Sequence, residues 1–144
     1  IQILLQLERN MNHRTHAALN QYQTTNNSSI VLSDPHSLIL RLMEGAIERI
    51  YQAKGAIKQR NVANKGSLIG KAIGIISGLD ACLDRELKGD LTNNLEALYE
   101  YMNRRLLEAS VENDVDKLDE VARLMNEVKA GWIQIPNQLK LAGV

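Results

Sequence analysis

Phenylalanine is absent from this chain, and one Trp and four Tyr are its only aromatic residues. A core without Phe has to be filled by Leu, Ile, Val, Ala and Met, a palette that suits close helix packing. The single cysteine, Cys82, excludes an internal disulfide and any need for an oxidising compartment. No basic cluster surrounds Cys82 to activate its thiol, so it reads as a small buried hydrophobe. Seventeen basic residues cancel seventeen acidic ones, which removes any global field drawing the chain to nucleic acid or anionic membrane. No apolar run approaches the ~20 residues of a membrane span, so membrane insertion is not expected. Ile1 to Leu7 is apolar, but it has no basic segment before it and no small-residue cleavage site after it, so a signal peptide is not expected.

Proline is nearly absent too. The two present, Pro35 and Pro136, both read as boundaries of a helix-favouring stretch that shows no alternating apolar run and hence no strand signal. Ser33-Asp34-Pro35 is a helix start, with a side-chain cap and a φ already suited to the first turn. Leu38, Leu42, Met43, Ala46, Ile50, Ala53 and Ile57 then recur at spacings of three and four, and this helix should end near Arg60 and Asn61. A second stripe runs through Leu68, Ile69, Ala72, Ile73, Ile76, Leu79, Leu83 and Leu87 and stops at Gly89. Asp90 caps a third, carried by Leu91, Leu95, Leu98, Tyr99, Met102 and Leu106. After a break at Asn113-Asp114, Val115, Leu118, Val121, Ala122, Met125, Val128 and Trp132 form the fourth, which stops before Pro136. The expected fold is all-α: an antiparallel up-down four-helix bundle over residues 30–144. Residues 1–29 read as a helical or extended arm with the polar linker Thr24 to Ser29.

The chain offers little chemistry. His13 and His16 are three apart, but no carboxylate or cysteine completes a metal set. His36 falls in a first helical turn and reads as an ordinary surface residue. There is no Glu-x-x-His pair of the di-iron bundles, no Gly-x-Gly-x-x-Gly and no phosphate-binding loop. The acidic residues spread along helix faces and read as solvated. An enzyme, a metal or another cofactor is therefore not expected.

Against this background Gly66, Gly70, Gly74 and Gly78 stand out, one every four residues and nearly on one face of the second helix. Each costs roughly 1 kcal/mol of helix propensity relative to Ala, about 4 kcal/mol together. Two readings are open: a smooth face for close approach of a neighbouring bundle helix, or a shallow groove for a partner's helix. Lys71 excludes a membrane version. In the third helix, Tyr99 and Met102 fall on the core stripe. Tyr101 shares the opposite side with Arg104, Arg105 and Glu108, either as a protein-binding hot spot or as a solvated face with a cation–π contact. Since neither Tyr101 nor Arg105 lies on the core stripe, neither is expected to carry stability.

Several of these stretches resemble the FliS family, the flagellin-specific secretion chaperones. Ala18-Leu19-Asn20-Gln21-Tyr22 is similar to the family's N-terminal Ala-Leu-x-x-Tyr segment. Asp34-Pro35 with Leu38, Leu42 and Gly45-Ala46 is similar to its opening of the first bundle helix, with Asp34 in place of the usual hydroxyl residue. Asn94-Leu95 through Arg105-Leu106 resembles Asn-Leu-x-x-Leu-Tyr-x-Tyr-Met-x-x-Arg-Leu, the most specific of the matches. Asn113-Asp114 and Ala130-Gly131-Trp132 resemble the Asn-Asp turn and the closing segment. The likeness spans about Ala18 to Pro136. Residues 1–10 have no counterpart in it, and Met11 is the expected natural start, the preceding residues coming from a fused segment.

The resemblance implies an antiparallel helical bundle in the cytoplasm that binds the C-terminal segment of flagellin, prevents premature polymerisation and delivers it to the flagellar type III export apparatus. A monomer or weak homodimer is expected, because the four stripes account for nearly all the apolar residues of the bundle. Leu19, Tyr22, Leu38, Gly70, Gly74, Tyr101, Arg104 and Arg105 are the candidate flagellin contacts. Leu19 and Tyr22 are expected to shield part of that surface until flagellin displaces them. The rival reading is a helical interaction subunit or a phosphotransfer-type signalling bundle. The latter needs an exposed mid-helix histidine with basic neighbours, and the position of His36 at a helix start opposes it. Far-UV circular dichroism should be dominated by helix; substantial strand signal would contradict the stripe assignment.

Overall fold

A computed structural model of the chain describes residues 35–83 and 90–141, with 136–141 as backbone alone. Four helices occupy them: α1 (Pro35–Lys58), α2 (Val62–Ala81), α3 (Asp90–Glu112) and α4 (Val115–Leu141). No strand occurs among the described residues. Each helix packs against two others, α1 on α2 and α4, α3 on α2 and α4. This is the square, up-down arrangement that short connections between consecutive helices favour. The N-terminal arm, Ser33, Asp34 and Leu87 lie outside the described residues.

The stripes point inward. Leu38, Leu42, Met43, Ala46, Ile50 and Ala53 of α1 are buried, as are Leu68, Ile69, Ala72, Ile76 and Leu79 of α2. Tyr99, Met102 and Leu106 of α3 and Leu118, Val121, Ala122, Met125 and Trp132 of α4 complete the core, and Cys82 joins it at 1% exposure. Ile57, Ile73, Leu95, Leu98 and Val128 are partly buried at its margin. Leu91 departs from expectation. In the first turn of α3 it is 39% exposed, while Thr92 beside it is buried.

Two turns share one construction. Arg60 and Asn113 take left-handed backbone conformations, φ 56° and 55°. In the first turn the Asn61 amide donates back to the Ala56 carbonyl and the Arg60 amide to that of Ile57. This is the Schellman pattern, in which a left-handed residue satisfies the last free carbonyls of a helix. In the second the Asp114 amide reaches the Ala109 carbonyl. Each turn then starts the next helix with an Asx cap: Asn61 accepts from the Asn64 amide at 3.2 Å, and Asp114 accepts from the Asp116 amide at 3.0 Å. A connection of three residues in the first case and two in the second thus closes one helix and opens the next.

Three helix ends differ from the sequence reading. α2 stops at Ala81 rather than continuing toward Gly89. Its last turn tightens, with the Leu83 amide bonding to the Asp80 carbonyl, and both Cys82 and Leu83 turn into the core. Asp90 is the first helical residue of α3 rather than the residue before it, where its charge still faces the positive end of the helix dipole. α4 does not stop before Pro136 but runs on to Leu141. His36 also departs from its sequence reading. Far from lying on the surface, it is 8% exposed, and its Nε2–H donates to the Trp132 carbonyl at 2.8 Å. That carbonyl is the one a residue at position 136 would bond in an unbroken helix, and proline has no N–H to offer it.

The turns carry a stability prediction. Arg60→Gly should raise unfolding free energy by about 1 kcal/mol by relieving the left-handed penalty, and Asn61→Ala should lower it by about 1 kcal/mol through loss of the cap. Urea denaturation of the two variants checks both signs.

Candidate binding surface

The glycine face of α2 is open. Gly66, Gly70 and Gly74 are exposed, and a methyl group added to any of them would meet nothing within 4 Å. The reading of these three as a close contact with another bundle helix is therefore excluded. Their place follows from helical spacing: α2 turns Ile69, Ala72 and Ile76 into the core, and Gly66, Gly70, Ile73 and Ser77 form the stripe beside them. Ser77 Oγ accepts from Asn103 Nδ2 of α3 at 3.1 Å. At the other end Lys65 Nζ donates to the Ser110 carbonyl at 2.9 Å and to Asn113 Oδ1 at 2.8 Å. The glycines thus border the seam between α2 and α3. Across it stand Leu107 and Val111, which are 57% and 83% exposed. These two apolar side chains were missed as candidates, and their signal was available: they lie off the core stripe, where polar residues are the rule.

Tyr101, Arg104 and Arg105 lie on the other side of α3, toward α4. The Tyr101 hydroxyl donates to Glu120 Oε2 at 2.8 Å, and Arg105 Nε donates to Glu120 Oε1 at 2.7 Å. Arg105 also reaches Glu108 at 3.3 Å. Lys117 ties Glu108 at 2.9 Å and Glu112 at 2.7 Å. The guanidinium carbons of Arg104 and Arg105 sit 5.6 and 5.7 Å from the centroid of the Tyr101 ring. Tyr101 and Arg105 thus bridge α3 to Glu120 of α4, contacts that the reading of a face away from the core did not include. Of the group, Arg104 is exposed.

The remaining candidates divide. Leu38 is buried at 5% exposure and offers no surface to a partner while the first turn of α1 keeps its place. Leu19 and Tyr22 lie outside the described residues. No group of three or more potential metal ligands occurs among the described residues, and no described helix is long and apolar enough to cross a membrane. His36 is held under Trp132 with its Nε2 engaged, a geometry unsuited to receiving a phosphoryl group.

The profile of the flagellar protein FliS matches residues 18–139. The chain belongs to the FliS family. It is 50% identical over 116 residues to the flagellar secretion chaperone FliSB of Pseudomonas aeruginosa, covering 80% of this chain and 92% of that one. It is 41% identical over 109 residues to the flagellar secretion chaperone FliS of Vibrio cholerae, covering 76% and 80%. With the FliS protein of Bacillus subtilis, also a flagellar secretion chaperone, identity is 31% over 118 residues, covering 82% and 87%. FliS proteins are thus named as chaperones, a non-enzymatic class.

In this FliS chain the α3–α4 network has a definite pH signature. Hydrogen bonds from Tyr101 and then Arg105 hold the Glu120 carboxyl below its ordinary value, and the Lys117 ammonium does the same for Glu108. A lowered carboxylate pKa stabilises the fold above the unfolded value, about 4.3, and that contribution is lost as pH falls through the folded value. The side chains of Glu120 and Arg105 are each about a quarter exposed, so the effect is modest and screened by salt. Glu120→Gln should lower Tm by a few degrees at pH 7. Its gap to the parent protein should begin to narrow as pH falls below about 4.3, the unfolded value, and thermal melts from pH 7 downward read this directly.

Proposed function

We propose that this protein is a cytoplasmic export chaperone that binds the C-terminal segment of flagellin, blocks its premature polymerisation and passes it to the flagellar type III export apparatus. It acts as a monomer or weak homodimer. The bound segment lies as an amphipathic helix along the α2–α3 seam, over Gly66, Gly70 and Gly74 and against Leu107 and Val111. Membership of the FliS family supports the class of function, and the open glycine face carries the assignment of the surface. Three glycines lower the helix propensity of α2 by roughly 3 kcal/mol, yet no packing inside the bundle requires them. A partner helix approaching the backbone closely gives that cost a use.

Arg104, exposed on the α4 side of α3, is a second candidate contact, and Tyr101 and Arg105 reach the client only through their exposed edges. Leu19 and Tyr22 of the N-terminal arm remain candidate contacts that cover the surface before flagellin arrives.

The seam assignment separates stability from binding. Gly70→Ala and Gly74→Ala should each stabilise the protein by up to about 1 kcal/mol, since the added methyl enters open space and favours the helix. The double replacement Gly70→Leu with Gly74→Leu should leave the bundle folded and reduce binding of a flagellin C-terminal peptide by calorimetry tenfold or more, or about 1.4 kcal/mol. Unchanged peptide affinity in the folded leucine variant would remove the seam as the client surface.

A further inference from the structure

The start of α1 and the end of α4 are joined by a reciprocal clasp. His36 Nε2–H donates to the Trp132 carbonyl at 2.8 Å, and Trp132 Nε1–H donates to the His36 carbonyl at 3.0 Å. The two rings stack with centroids 4.7 Å apart and planes within 7°. Both residues are 8% exposed. Because a carbonyl only accepts, the imidazole carries its proton on Nε2 in this arrangement.

Its position on α4 gives the clasp a consequence. The carbonyl of residue 132 ordinarily accepts from the amide of residue 136. Proline there has no amide hydrogen to donate. A buried carbonyl without a donor is unfavourable, and in its absence the helix is better ended at the residue before the proline, where water reaches the group. Yet α4 continues through Pro136 to Leu141.

We propose that His36 acts as the substitute donor that lets α4 pass Pro136, so that the C-terminal extension 137–141 is helical only while the first turn of α1 is seated. The two ends of the bundle are one conformational unit. Whatever lifts the first turn of α1 takes the donor from Trp132 and releases the last turn of α4; whatever fixes the last turn holds α1 in place. The coupling runs through a single hydrogen bond whose conventional partner the sequence has deleted. It is independent of which partner the α2–α3 seam takes.

Amide hydrogen exchange on the full chain tests it. His36→Ala should speed exchange of residues 137–141 about tenfold or more while leaving residues 118–130 near their parent rates. In a Pro136→Ala background the restored N–H at position 136 should make exchange at 137–141 insensitive to His36→Ala. Trp132→Phe removes the indole donor but keeps the carbonyl and its bond to His36, so protection of 137–141 should persist. The proposal is overturned if His36→Ala leaves 137–141 unchanged, or if Pro136→Ala fails to abolish the effect. It is equally overturned if protection in the His36→Ala protein falls evenly along α4, since general destabilisation then suffices.

Discussion

Ala46, Ala53, Ala72, Ala109 and Ala122 are each at or below 1% exposure. They sit where neighbouring helices meet, and their small side chains let the backbones approach until Ile, Leu and Met fill what is left. A bundle without Phe depends on that closeness, because apart from Tyr99 and Trp132 no large planar ring fills its core. Among the bulkiest fully buried groups are Ile39, Met43, Ile50, Ile76, Leu79, Leu83, Met102, Leu106, Leu118 and Met125. Tyr99 is the aromatic exception on α3, at 2% exposure, and burial pushes its hydroxyl well above the ordinary tyrosine range. Position and direction of every outward side chain follow from how these stripes interlock.

Outside the core the four seams are fastened differently. The α1–α4 seam has the His36–Trp132 clasp at one end and a Lys54–Asp119 ion pair at 2.9 Å further along, with Lys129–Glu44 at 3.5 Å between. The α3–α4 seam has the Tyr101–Glu120–Arg105 network. The α2–α3 seam is tied near its two ends, by Lys65 and by the Asn103–Ser77 bond, and its outer rim consists of glycine backbone and exposed aliphatic side chains. Ion pairs at partly exposed positions contribute little each, so their main effect is on register. Along the α2–α3 seam the described ties are those of Lys65 and Asn103, and beside them Leu107 and Val111 stand exposed to solvent. Open glycine backbone beside exposed aliphatic side chains supports the proposed role for α2–α3 in binding.

A helix weakened by glycine survives because packing, rather than propensity, supplies most helical stability in a folded protein. α2 turns Leu68, Ile69, Ala72, Ile76 and Leu79 into the core and is held from both sides by α1 and α3. Its outer face is therefore free to be shaped by something other than folding. The same logic separates Gly70 from Gly45: a methyl at Gly45 would lie 3.7 Å from Ile75 Cδ1, inside the α1–α2 contact, whereas one at Gly70 would meet only solvent.

Periodicity, capping residues and turn chemistry are local properties. From the sequence alone they determined the helical class, most of the core stripes and the turns at Arg60-Asn61 and Asn113-Asp114, while the likeness to the FliS family rested on its motifs, above all Asn94 to Leu106. The inward positions of Tyr99 and Met102 were legible for the same reason: they recur with the helical period. Which way the glycine ladder faces was not, since the spacing is identical whether a neighbouring helix or solvent lies beyond it. Tyr101 read as free of structural duty because its partner, Glu120, belongs to another helix. Pro136 read as a terminus because its missing N–H is local, while the donor that replaces it comes from a residue 96 positions away. Only the tertiary structure decides such features, because the group that satisfies a carbonyl, a hydroxyl or a carboxylate is chosen by proximity in space, and helical periodicity carries no record of which faces will meet.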